Sequence, residues 1–326
     1  STPMIFGPIL GPVLGGFIVQ AASWRWIFFI NVFIILIAAP LMKRTLPSFE
    51  PFNRESKLDI FGILDLSVMS AALIYGITKA ADHATFKNSE ALLWTGLGVL
   101  LLFVYIFYDY RKQHATVLPL TIFSNRSFKA ASIGLFFANI AIMGPMLILP
   151  LFFQNFRHFS AMEAAIALIP QGIGMLVTRP MIGKMIDRLG AKYVVIASLI
   201  ISLIGTIPLL FVTDHTSMIW IALILFIRGT SFGGINLPLT SDAYTGLADE
   251  ELPDAGVGIN IIENLGSSFG SAMIATVVAT VLQSSQPTIA HELSAYHTGF
   301  LVSVIVLILI FLPSIFLTNK AKTTVE

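Results

Sequence analysis

The chain has 326 residues, of which 56% are hydrophobic and only 11% charged, with a formal net charge of +1. A soluble surface takes about 25% charged residues, so lipid has to cover much of this one. A disordered chain, a nucleic-acid binder and an ordinary cytosolic enzyme are excluded. There is no cysteine, which removes disulfides, thiol catalysis and cysteine-ligated metal or iron–sulfur sites.

In chain order, apolar runs fall at 3–20, 25–42, 59–80, 91–108, 129–152, 161–181, 193–212, 217–240, 256–283 and 298–318. A spanning helix needs about 20 mostly apolar residues. None of the runs alternates with period two, so helices are predicted rather than the strands of a barrel, about 10 residues each. The fold class is therefore an all-α polytopic membrane protein with about ten transmembrane helices. The longer connections are 43–58 and 109–128, both basic, and 241–255, which is acidic. The first run begins at once, without a basic leader or a small-residue cleavage site, and the chain reads as cut at its N-terminus. Alternate loops share a side of the membrane. One side holds thirteen Lys and Arg residues and the other only four, Arg25, Lys79, Lys87 and Arg157. The basic side is predicted to be cytoplasmic, and with it both ends of this chain.

Two motifs stand out. The first run contains Gly7-Pro8-Ile9-Leu10-Gly11-Pro12-Val13-Leu14-Gly15-Gly16. Gly7, Gly11 and Gly15 lie along one helix face and admit a neighbouring backbone, while Pro8 and Pro12 each remove a donor and loosen the helix. A tight packing seam is the plainer reading. The second motif is Gly183-Lys184-Met185-Ile186-Asp187-Arg188-Leu189-Gly190 on the basic side. Glycines at both ends suit a short turn between closely packed helices, and Asp187 is suited to cap a helix or pair with a base. A positive-inside hairpin is the plainer reading here.

The first segment resembles the antiporter motif of proton-driven drug exporters in the major facilitator superfamily. Trp24-Arg25-Trp26-Ile27-Phe28-Phe29-Ile30-Asn31-Val32 resembles the start of the next helix in the fourteen-helix EmrB/QacA-type members, with Phe33 where proline is usual. The second segment resembles the superfamily's cytoplasmic loop motif, with Ala191 where arginine is frequent. Asp59-Ile60-Phe61-Gly62, Leu118-Pro119-Leu120, Pro170-Gln171-Gly172 and Arg228-Gly229-Thr230-Ser231-Phe232-Gly233-Gly234 continue the resemblance over nearly the whole chain. It implies that 1–42 are the last two helices of an N-terminal bundle. Residues 43–128 would be linkers with an extra helix pair, and 129–326 a C-terminal six-helix bundle. The family's first four helices would be absent, with the first copy of the loop motif. The implied roles are packing and hinge for Gly7, Pro8, Gly11, Pro12, Gly15 and Gly16, and a gate for Gly183, Asp187, Arg188 and Gly190. The implied activity is proton-coupled export of amphipathic drugs from the cell by alternating access. The implied cofactor is none beyond the proton gradient. Expected partners are a small amphipathic substrate, the lipid bilayer and, in a Gram-negative host, a periplasmic adaptor, with no nucleic acid and a monomeric state.

Charges inside spans are costly and mark functional candidates. Asp65 lies near the start of its run and reads as structural, and Arg179 is placed at a run end where it can snorkel. Arg228 is mid-run. Glu263 is the best acidic candidate for a proton or cation, with Asn260 three residues before it on a shared face and Asn264 beside it. Gln154, Gln171 and Asn236 are further polar candidates, and Gly233-Gly234-Ile235-Asn236-Leu237-Pro238 suits a kinked, cavity-lining helix. The six histidines lie in or near loops, and neither a zinc-protease helix motif nor a phosphate loop is present. A lipid-modifying membrane enzyme would need a polar cluster at one interface, where only scattered charges occur. A non-transporting fragment and an exporter of one specific metabolite are the remaining alternatives.

Overall fold

The computed structural model describes residues 14, 15, 17, 18, 23, 25–45, 58–82, 87–113, 116–283 and 288–318. Among them are nine helices long and apolar enough to cross a membrane, and no strand. They are α1 (Arg25–Thr45), α2 (Ile60–Asp82), α3 (Ser89–Arg111), α4 (Arg126–Leu151), α5 (Ala161–Leu189), α6 (Ala191–Thr206), α7 (Met218–Ala243), α8 (Leu252–Gln283) and α9 (Ile289–Ser314). Each overlaps one of the last nine apolar runs. The run at 3–20, with Gly7, Pro8, Gly11, Pro12 and Gly16, lies largely outside the described residues; 14, 15, 17 and 18 within it are helical.

The helix ends follow local chemistry. Asn88 caps α3 and Asn125 caps α4, each side chain accepting two main-chain N–H groups of the first turn. Ser160 and Glu163 form a reciprocal capping box on α5. Pro150 withdraws a donor from the last turn of α4, and the helix runs on through one π turn, Phe152–Phe156. Two helices outrun their apolar stretches. α9 starts nine residues before its run, at Ile289, where the Thr288 hydroxyl accepts from the His291 amide. α5 continues past 181 to Leu189 and stops at Gly190, whose φ of 82° favours glycine.

α4 packs against α7, α8 and α9, α5 against α7, and α6 against α7 and α9. Small residues let the backbones touch. A side chain on Gly174 of α5 would meet the main chain of α7 at Phe226 and Thr230, and one on Gly270 of α8 would meet Ile140 of α4. Two apolar cores fill the bundle, one around Phe128, Leu135, Leu199 and Leu239, the other around Phe152, Phe153, Leu225 and Phe300. The outward faces keep large apolar residues exposed, as a lipid-facing surface requires. α1 has no buried residue.

α2 and α3 form a hairpin with α2 against α8. Its Asp59 end is held by buried carboxylates. Asp59 accepts from the Tyr108 hydroxyl at 2.5 Å and from the Gly62 and Val117 amides at 3.1 Å each, with Lys112 Nζ at 3.8 Å. Burial alone would raise the Asp59 carboxyl, but these donors and the Lys112 charge together hold its pKa below the usual carboxylate value. Asp109 accepts from Thr116 and from the Leu120 amide. The hairpin is thus tied to the segment leading into α4.

The same end of the molecule, here the Gly190 end, is cross-braced. Lys192 donates to the Ile315 carbonyl at 2.9 Å, Asn125 to the Gly246 carbonyl at 3.1 Å, and the Asp242 carboxylate accepts from the amide and hydroxyl of Thr318.

Candidate functional site

A cavity of about 780 Å³ opens among α4, α5, α7 and α8, with Gly15 and Ile27 at its wall. Helical periodicity builds it. α5 presents Ala164, Leu168, Gln171, Met175 and Arg179, three or four residues apart and hence on one face. α7 presents Phe232, Asn236 and Thr240 in the same way. α4 adds Met143, Met146 and Pro150, and the π turn beyond it carries Gln154 to the wall. α8 adds Glu263.

The lining is mostly apolar, with a few polar groups. Arg228 lies just behind it, 1% exposed. Its Nη1 donates to Gln171 Oε1 at 3.0 Å and its Nη2 to the Ala141 carbonyl at 3.4 Å, while its Nε has no acceptor. Its guanidinium stacks 4.9 Å from the Phe232 ring centre. The buried Asn236 Oδ1 has no donor. Arg179 and Glu263, both partly exposed to the cavity, have no hydrogen bond or ion pair with any described residue.

Gln154, Gln171, Asn236 and Glu263 therefore line one cavity. Arg228 supports the site from the core and does not line it. Asn260 and Asn264 are separated from Glu263. They line a second cavity of about 340 Å³ against Ser67 and Ser70 of α2. At ~100° per residue, positions four apart diverge by about 40° and positions three apart by about 60°. Glu263 is thus about 60° from Asn260 and about 100° from Asn264, enough to face the neighbouring cavity.

Arg179, at the end of its apolar run, lines the cavity. The helix itself does not end with the run: α5 continues ten residues beyond Arg179, or about 15 Å at ~1.5 Å per residue. The signal was Gly190, a C-terminal helix stop nine residues past the apolar run.

The Gly183–Gly190 segment differs from expectation in form. Gly183, Asp187 and Arg188 sit on the last two turns of α5, and Gly190 alone makes the turn. A side chain on Gly183 would meet open space, so it mediates no close helix contact among the described residues. Asp187 and Arg188 are exposed without a partner among the described residues, and no side chain caps α6. Gly15, the described member of the first motif, likewise meets nothing within 4 Å.

Comparison with known proteins fits this architecture. The chain is 27% identical over 286 residues to the multidrug resistance protein B homolog of Mycobacterium tuberculosis, covering 87% of this chain and 53% of that protein. It is 26% identical over 281 residues to the probable multidrug resistance protein EmrY of Escherichia coli, covering 85% and 54%. It is also 27% identical over 326 residues to the MFS-type transporter YcnB of Bacillus subtilis, covering 97% and 67%. The chain spans about half the length of the first two of these relatives. The Major Facilitator Superfamily model matches residues 1–271, and the chain belongs to that superfamily of membrane transporters.

Proposed function

We propose that this chain forms the cavity-bearing part of a proton-driven exporter of amphipathic compounds in the cell membrane. The observation that carries the reading is the cavity itself: an apolar chamber lined by Arg179 and Glu263, neither of which has a partner among the described residues. A chamber of this size suits a drug-sized molecule. Its few polar groups orient a ligand, and its methionines adapt to different apolar shapes. Relatives named for multidrug resistance support the substrate class.

In this reading residues 1–42 close an N-terminal bundle, 43–128 supply the linkers and the α2–α3 hairpin, and 129–326 form the C-terminal bundle, as in fourteen-helix members. The Gly190 end faces the cytoplasm because it collects most of the Lys and Arg. Glu263 exchanges a proton inside the membrane. A cationic group and a proton then compete for one carboxylate, which couples inward proton flow to outward movement of the substrate.

The test is efflux of amphipathic dyes from cells carrying the whole gene, with and without a proton uncoupler. Uncoupler-sensitive efflux is expected, and Glu263→Gln should abolish its dependence on the proton gradient. Full gradient-driven efflux by Glu263→Gln removes Glu263 from the coupling, and no uncoupler-sensitive efflux across a broad panel removes the exporter assignment.

A further inference from the structure

Resting on the exporter reading, we propose that the cavity takes an amphipathic zwitterion, with the anionic group on Arg179 and the cationic group on Glu263. Arg179 lies ten residues from the Gly190 end of α5, and Glu263 lies eleven residues from the start of α8 at Leu252. At ~1.5 Å per residue these are about 15 and 17 Å along the two helix axes. Two opposite charges thus sit inside the ends of different helices that line one cavity, and no ion pair forms between them.

The polar groups are sorted by wall. Gln171 has its oxygen committed to Arg228, so its amide N–H groups are what α5 can offer the cavity, two turns from the Arg179 guanidinium. The α5 wall is therefore a donor wall. On a different helix, α8 supplies the Glu263 carboxylate, which can only accept. That wall is an acceptor wall. A cation reaching Glu263 meets Arg179 as a like charge, and an anion reaching Arg179 meets Glu263. Either ligand leaves one charge unpaired in an apolar chamber, which is costly. A ligand carrying both signs satisfies both walls, and Met143, Met146, Leu168 and Met175 cover its apolar body.

The experiment uses the whole protein in neutral-lipid nanodiscs, with empty nanodiscs as reference, and three amphiphiles sharing one decyl chain: N-decyl betaine, decyltrimethylammonium and decanoate. Titration calorimetry is expected to rank the betaine tightest. Arg179→Gln should weaken the betaine and decanoate by roughly tenfold to a hundredfold and strengthen decyltrimethylammonium. Glu263→Gln should weaken the betaine and decyltrimethylammonium and strengthen decanoate. Arg179→Lys, which keeps the charge, should recover the betaine. The proposal is overturned if the betaine binds no tighter than decyltrimethylammonium, or if Arg179→Gln and Arg179→Lys weaken all three alike. Efflux separates the two readings. Betaine selectivity without uncoupler-sensitive efflux of any of the three keeps the site and removes the exporter. Uncoupler-sensitive efflux with betaine binding untouched by Arg179→Gln keeps the exporter and removes the site.

Discussion

At the scale of single residues, the telling side chains are charges that the membrane makes expensive. Arg228 is a buried cation with no carboxylate beside it among the described residues; Gln171, Ala141 and the Phe232 ring hold its two terminal nitrogens and its face, while Nε is left without an acceptor. Its removal should be judged by volume as much as by charge. Arg228→Ala leaves a void and is expected to cost about 2–4 kcal/mol. Arg228→Met refills most of that volume and lifts the burden of a desolvated charge, and Gln171, freed at the cavity wall, can turn to water. Thermal unfolding in detergent should therefore rank the wild type and Arg228→Met together, well above Arg228→Ala. Asp59 is the opposite case, a carboxylate held ionised by four donors. Its folded pKa is lowered, so its stabilisation is full above the unfolded value of about 4 and is lost as the pH falls through the lower folded value. Asp59→Asn should unfold earlier than the wild type at neutral pH. The gap should close below about pH 4; a gap that persists unchanged in acid would show that the carboxylate's charge is not what ties Tyr108 and Val117 together.

At the scale of elements, run length and composition made the helices legible, because the backbone in lipid has to satisfy itself. They did not reveal where helices end in water. Hydrophobicity stops at 181, whereas α5 stops at Gly190, so the end of the apolar run is not the end of the helix, and Arg179, two residues before 181, still falls on the α5 face that lines the cavity. Spacing also misled at α8. Asn260 and Glu263 looked like one face, but the α2–α3 hairpin packs where the asparagines point and leaves Glu263 to the cavity. No local signal in α8 announces where a distant hairpin will dock. The two glycines of the α5 motif give a contrast that tests this part of the fold. Gly190 adopts φ 82° and ψ 158°, a conformation nearly confined to glycine, so Gly190→Ala should destabilise by about 1–3 kcal/mol. Gly183 is helical and faces open space, so Gly183→Ala should add about 0.5–1 kcal/mol. Equal effects of both substitutions on thermal unfolding would contradict a one-residue turn.

At the scale of the whole molecule, rocking between two bundles would require a cavity wall that meets water from one side and then the other, while the cores behind it stay sealed. The described bundle divides its surfaces in that way. Met146 and Met175 line the chamber, whereas Leu199 and Leu225 are fully buried in the two cores. These 326 residues hold no cysteine, so single cysteines at these positions are the only thiols in this part of the protein, and the protein without them serves as the labelling reference. A membrane-impermeant maleimide should label Met146→Cys and Met175→Cys from either side of the membrane, at rates that change in opposite directions when a proton gradient is imposed. Leu199→Cys and Leu225→Cys should stay unlabelled in both conditions. A bound amphiphile should slow the first pair and leave the second untouched, since it fills the chamber and not the cores. Labelling of the cavity positions from one side only, whatever the gradient, would mean that the chamber is a fixed pocket, and alternating access would have to be abandoned for this protein.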